Sequence, residues 1–262
     1  MSNKRLAGKK ILVVGAAGNL GPRWVKALAE ESALVLAAGL GLESDDSLSG
    51  VVGEYPDNVK QAELDITQSF DPEELFARLG VGGPIDGIVF NSGIDAIPGT
   101  GHTKLEDYDR DEWARIFGVN LFGIVSALNA FIPWLANPSS VVVLGSLYGI
   151  VSPKPALYSH FNGGSGSIKH PAYGASKAAL VAAARQYGTH LAPQGIRVNT
   201  LTLGGVAAGQ DETFVKSFQQ HVPQNRMLTA DDIVPAMLFL LSHDSQGMTA
   251  QNLIVDGGYT AW

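Results

Sequence analysis

Lys10-Ile11-Leu12-Val13-Val14-Gly15-Ala16-Ala17-Gly18-Asn19-Leu20-Gly21 is the stretch whose reading decides the fold. The apolar run ahead of Gly15 shows no polar alternation, as a strand buried on both faces requires. It passes directly into a turn with glycine at 15, 18 and 21, and then into the helical pattern Trp24-Val25-Lys26-Ala27-Leu28-Ala29-Glu30. Strand, glycine turn and helix N-terminus in that order bring backbone N–H groups and the positive end of a helix dipole to one place, which suits a pyrophosphate. Gly15, Gly18, Asn19, Leu20 and Gly21 therefore read as the phosphate-holding part of a dinucleotide site.

Working outward, further strand-like runs occupy residues 33–38, 61–67, 84–93, 141–146, 196–201 and 253–258. Helical patterns separate them: one capped by Asp71 with Pro72 in its first turn, a long one over about 112–135, one opening at Pro171, and two over 211–220 and from 231. Seven buried strands interleaved with helices predict an α/β, Rossmann-type, doubly wound parallel sheet covered on both faces, in a single domain spanning 1–262. Residues 43–57, rich in Ser, Gly and Asp, read as a surface loop. Residues 147–170 are too polar and broken for a core element, and long loops of this kind are usually functional.

Ligands bind beyond the carboxyl ends of such strands. The glycine turn, Asn91-Ser92-Gly93, Ser146 and Gly204 all fall there. Tyr173 and Lys177 are four apart on a helix and share one face. A free tyrosine titrates near ~10, and bringing it close to neutrality takes roughly 4 kcal/mol of preferential phenolate stabilisation. A neighbouring ammonium is one source of that energy. Asn120 is a poor residue for a helix interior, and the apolar residues around it point to a buried polar role. His102, Asp95, Tyr158 and His160 read as solvated loop residues, with a polar pocket as the other reading.

The formal charge is −7 and no basic run extends beyond Lys4-Arg5 and Lys9-Lys10, so no electrostatic footprint for nucleic acid is expected. With no cysteine there is no disulfide and no thiolate metal site. No metal is expected. The N-terminus lacks a signal-peptide pattern and no continuous apolar run approaches about 18 residues, so the reading is cytoplasmic, with no membrane partner. The second strand ends in Ala38-Gly39 where a ribose-binding carboxylate is usual, and the next one is Glu43. No Lys or Arg lies between Lys26 and Lys60, which leans towards NAD over NADP.

In joint order and spacing these pieces resemble the classical short-chain dehydrogenase/reductase family over nearly the whole chain. The matching residues are Gly15-x-x-Gly18-x-x-Gly21, Leu64-Asp65-Ile66, Asn91-Ser92-Gly93, Asn120, Ser146, Tyr173-x-x-x-Lys177, Val198-Asn199 and Val255-Asp256-Gly257-Gly258. The resemblance implies hydride transfer between a nicotinamide, NAD or NADP, and a secondary alcohol or ketone. It implies a catalytic tetrad of Asn120, Ser146, Tyr173 and Lys177, with Asn120 holding a relay water. Asp65 and Ile66 would meet the adenine, and Asn91, Ser92, Gly93, Tyr173, Lys177, Gly204 and Val206 would run along the cofactor. A homotetramer or homodimer acting on a small molecule is implied too, and residues 209–214 and 258–262 look like those of relatives acting on sugars. Val14, Asn19, Leu203 and Ala208 depart from the family pattern around the cofactor. Residues 147–170 look like an insertion beside the substrate. The alternatives are a catalytically silent dinucleotide-sensing protein of the same fold, an extended family member acting on nucleotide sugars, or a scaffold.

Overall fold

Alternate residues of the first strand enter opposite layers. In β1 (Lys10–Val14), Ile11 and Val13 are buried in one apolar layer and Leu12 and Val14 in the other, which is why the run carries no polar alternation. The computed structural model describes residues 4–96, 104–107, 110–161 and 168–262. Around β1 lie β2 (Leu34–Gly39), β3 (Val59–Glu63), β4 (Ile85–Phe90), β5 (Leu135–Ser146), β6 (Ile196–Leu203) and β7 (Asn252–Val255). They form one parallel sheet in the order β3-β2-β1-β4-β5-β6-β7. The order reverses between β1 and β4, and the crevice beyond their carboxyl ends is where such a sheet binds ligands.

The first layer packs Trp24, Val25 and Leu28 of α1 (Gly21–Glu30) with Ile233, Met237 and Leu240 of α8 (Ala230–Leu241). The second packs Leu75 and Phe76 of α3 (Pro72–Arg78) with residues of α5 (Ile124–Phe131) and α6 (Pro171–Leu191). The seven-stranded, doubly wound expectation holds.

Several local expectations do not. Residues 43–57 carry a helix, α2 (Asp46–Glu54): Asp45 caps it by accepting from the Leu48 N–H at 2.9 Å, and Leu48 and Val51 enter the first layer. Its polar outer residues hid the two apolar ones spaced three apart. The long helix is three pieces, α4 (Arg110–Phe117), a π-helical turn Gly118–Gly123, and α5, closed by a 3₁₀ turn Ile132–Trp134. The run Arg110–Trp134 is long and apolar enough, by length and composition, to cross a membrane; here Ile124, Leu128 and Phe131 are buried in the second layer. β6 continues to Leu203, which pairs with Val255; a proline there would have removed a ladder donor.

Residues 147–170 also depart from the expected polar loop. Leu147, Leu157 and Tyr158 are buried in a third apolar cluster with Phe218 of α7 (Glu212–Gln219), Val222, Met227 and Tyr259. Residues 162–167 of that segment lie outside the described residues.

Candidate active site

The glycine turn is built by close approach. Gly15 has φ +86°, and a Cβ on it would sit 2.5 Å from the Ser92 nitrogen; a Cβ on Gly21 would sit 2.2 Å from the Ala16 oxygen. Larger residues would push the turn off the β4 end or break the α1 entry. Asn91 fixes the arrangement: its Nδ2 donates to the Gly15 carbonyl at 2.6 Å and its Oδ1 accepts from Trp24 Nε1 at 2.8 Å. The Asn91 carboxamide thus ties β4, the turn and α1 together, a positioning role the sequence did not reveal. No side chain caps α1, so its first N–H groups and dipole are left for an anion.

Beside this turn a cleft of about 720 Å³ opens at the strand ends. Gly15, Gly18, Asn19, Leu20, Asp65 and Ile66 line it. Asn91, Ser92, Gly93, Ser146, Tyr173, Lys177, Gly204 and Val206 line it too. Asn120 and Gly21 are not among the lining residues.

Ser146 Oγ accepts from the Tyr148 N–H at 3.2 Å, capping the 3₁₀ turn Leu147–Gly149, and it lines the same cleft as Tyr173. Lys177 is 4% exposed and donates from Nζ to the Leu144 carbonyl at 2.9 Å. Asn120 is fully buried. Its Oδ1 accepts from the Ile94 N–H at 2.8 Å, and its Nδ2 donates to the Ile94 carbonyl at 2.9 Å and to Ser176 Oγ at 3.1 Å. Ser176 Oγ in turn donates to the Tyr173 carbonyl at 2.8 Å. A continuous polar chain therefore joins the cleft wall after β4 to the backbone that carries Tyr173.

A family model described as enoyl-(acyl carrier protein) reductase matches residues 15–260, nearly the whole chain. This protein belongs to the short-chain dehydrogenase/reductase family. Among similar proteins are glucose 1-dehydrogenase of Gluconobacter oxydans, 30% identical over 276 residues covering 98% of this chain and 94% of that one, and a 3-oxoacyl-[acyl-carrier-protein] reductase of Thermotoga maritima, 27% identical and covering 97% and 98%. A short-chain dehydrogenase from Leptospira borgpetersenii solved with bound NAD+ superposes with a TM-score of 0.82 at 25% identity, covering 98% of this chain and 95% of that one. The chain is an NAD(P)-dependent oxidoreductase of that family.

Within this short-chain dehydrogenase/reductase, burial shapes the two titrating groups. Loss of solvation, with the Asp95 carboxylate adding to it, pushes the Tyr173 phenol up to about 12, and the Ser146 hydroxyl opposes them. Burial pulls the Lys177 ammonium down to about 8, with Asp95 opposing. Lys177 was expected to lower the phenol; desolvation instead leads the shift, upward, and Tyr173 is a neutral acid at pH 7.

A stability prediction follows from Lys177. Its folded value, about 8, lies below the 10.5 of an ordinary lysine, so between those pH values the unfolded chain holds more protons and stability rises with pH. Housing the charge below pH 8 costs on the order of 3 kcal/mol. The Lys177→Met apoprotein melts higher than wild type at pH 7, and the gap narrows as pH rises from 8 to 10.5; equal melting curves at every pH would contradict the burial argument.

The remaining sequence candidates divide. Tyr158, read as solvated, is 2% exposed and its hydroxyl lies 2.9 Å from that of Tyr148. Asp95 is exposed at the cleft and ion-paired with Lys169. His160 Nε2 lies 3.1 Å from the Asp211 carboxylate. His102 lies outside the described residues. Asp65 Oδ1 accepts from the Thr67 N–H and hydroxyl, a local turn at the cleft edge. Asp45, Glu63 and Gln210 escaped the sequence reading because each acts on backbone N–H groups, and no side-chain pattern marks that. Asp45 Oδ2 accepts from the Gly18 N–H at 2.7 Å, which with the Leu48 N–H holds its carboxyl below the ordinary range. Glu63 accepts from Gly41 and Leu42, and Gln210 clasps Val206 and Ala208.

Proposed function

We propose that this enzyme moves a hydride between NAD and a secondary alcohol or its ketone, with a sugar or sugar-derived compound as substrate. The observation that carries the reading is that Ser146, Tyr173 and Lys177, from separate segments, line one cleft with the glycine turn. A nicotinamide bound along the cleft supplies or takes up the hydride. Its pyrophosphate suits the glycine turn and the uncapped α1 N-terminus. Lys177 would contact the ribose, and Asp65, Ile66, Gly204 and Val206 would flank the rings. Ser146 orients the substrate oxygen, and the Tyr173 phenol gives its proton to that oxygen in reduction and takes it back in oxidation. The Asn120 carboxamide has three protein partners, so its role is to hold the Ile94 wall against α6 rather than to carry the relay water.

The likeness to a glucose 1-dehydrogenase supports the sugar reading, and the family's named dehydrogenases and reductases favour an enzyme over a silent sensor. Polyols, sugar acids and their ketones, each offered with NAD(H) and NADP(H), test it through the absorbance of the reduced nicotinamide. Turnover confined to acyl thioester ketones would replace the sugar reading.

The lean to NAD gains support from two carboxylates. Asp45 on the Gly18 N–H and Glu63 on the 41–42 turn put negative charge at the end of β2 where a 2′-phosphate would arrive, and no lysine or arginine lies between 26 and 60. Asp45→Asn keeps a capping side chain for α2 and removes one charge. It raises the NADP to NAD ratio of kcat/KM by about three- to tenfold, as loss of one nearby like charge in high dielectric predicts. A wild type that prefers NADP would overturn the assignment. A cytoplasmic homodimer or homotetramer completes the reading, with the exposed Phe122 beside Phe117 on the outer helix face supporting self-association; light scattering tests it.

A further inference from the structure

Lys169 does not belong to the family pattern, and its setting is unusual for a lysine. Its side chain is only 7% exposed. Its Nζ lies 4.9 Å from the centroid of the Tyr173 ring and 5.3 Å from that of Tyr148, and it is ion-paired with Asp95. An ammonium removed from water loses hydration that a surface position would keep, and here two aromatic faces and one carboxylate replace it.

We propose that Lys169 is a positioning residue for the Tyr173 phenol: laid on the ring face with Asp95 as counter-ion, its ammonium fixes the ring in the cleft and sets a positive charge against the Asp95 carboxylate beside it. The inference rests on the reading of Tyr173 as proton donor, but its test does not need a substrate.

Among the described residues, the groups around Tyr173 are few. Lys177 and His170 belong to α6 and its cap. Ser146 and Tyr148 come from the end of β5, and Asp95 from the loop after β4. Tyr158 bonds Tyr148 from behind, and Tyr259 adds to the Tyr148 environment. Lys177 donates to the Leu144 carbonyl and His170 Nδ1 accepts from the Ala172 N–H. Lys169 is the cation laid on the Tyr173 face. The same field acts on Lys177 and Tyr148, where Asp95 favours the protonated form as well. Lys169 and Asp95 therefore act on the phenol with opposite signs. A tether between two loops would have no such signature.

The experiment is an ultraviolet titration of tyrosinate, each protein measured against the same protein carrying Tyr173→Phe so that the difference isolates one phenol. Removing the cation in Lys169→Met raises the phenol's proton affinity about tenfold, and removing the anion in Asp95→Asn lowers it by a similar factor, each being the effect of one close charge. Lys169→Arg keeps the cation and stays within about twofold of wild type. Asp95 is exposed, so its variant keeps the test alive if Lys169→Met folds poorly. Shifts of the same sign in Lys169→Met and Asp95→Asn, or no shift in either, would overturn the proposal. Turnover retained in Tyr173→Phe would instead remove the functional reading, with the titration still reporting on Lys169.

Discussion

Tyr173→Phe lowers kcat by about a thousandfold, the middle of the range for removal of a positioned proton donor, while binding of the reduced cofactor changes little. The substitution deletes one oxygen. The ring stays against Lys169 and on its helix, Ser146 Oγ keeps its bond from the Tyr148 N–H, and the backbone carbonyl still accepts from Ser176. What is lost is the proton that must reach the substrate oxygen as hydride arrives, and the two neighbouring phenols do not replace it: Tyr148 and Tyr158 are bonded to each other and burial pushes both up. Removing a desolvated phenol also leaves the apoprotein as stable as wild type or slightly more so. Steady-state rates on the best substrate of the panel and a fluorescence titration with reduced cofactor make the comparison. Undiminished turnover would take the proton from Tyr173, and cofactor binding without turnover in either protein would restore the sensor reading.

The fold was readable because its central strands are buried on both faces. A run such as Leu12–Val14 carries its whole environment in its composition, and such runs in order left one architecture, although the edge strands β3 and β7 are largely exposed or half-buried. α2 was not readable for the opposite reason. It rests one edge on the sheet through Leu48 and Val51, and its Ser, Gly and Asp residues have the composition of a turn. The site was readable at the residues whose chemistry is rare at their position, a tyrosine four before a lysine and an asparagine among apolar neighbours. It was unreadable where function lies in a backbone partner. Asn91 lines the cleft, as a cofactor contact would, and its amide is also engaged by Gly15 and Trp24, which the sequence did not reveal. Asp45 looked like a loop residue and holds a glycine N–H. Lys169 became visible only when the fold brought Asp95, Tyr148 and Tyr173 around it.

The second large effect is expected at Asn120, and it follows from how the long helix is broken. The π-helical turn Gly118–Gly123 buries Asn120 and Gly123 together, and turns of this kind often occur at functional sites. A Cβ on Gly123 would lie 3.0 Å from an Ile66 side-chain carbon, so the turn is packed directly against a residue that lines the cleft. Asn120 alone supplies both the donor and the acceptor that pair the Ile94 backbone. Asn120→Leu fills the volume and removes all three hydrogen bonds, leaving Ile94 N–H and C=O without those partners, at about 1–3 kcal/mol for each buried group left unmade. The melting temperature falls by roughly 10 °C on that basis, at about 2–4 °C per kcal/mol for a chain of this size. Turnover falls by about a hundredfold, because a wall displaced by an ångström misplaces the reacting atoms. Ser176→Ala separates the two ends of the chain: it removes the link to α6 while leaving both Ile94 bonds, and loses no more than about 1.5 kcal/mol. If Ser176→Ala were the more damaging of the two, the anchor would lie in the helix. If Asn120→Leu melted with wild type and turned over normally, the carboxamide would have no part in shaping the cleft.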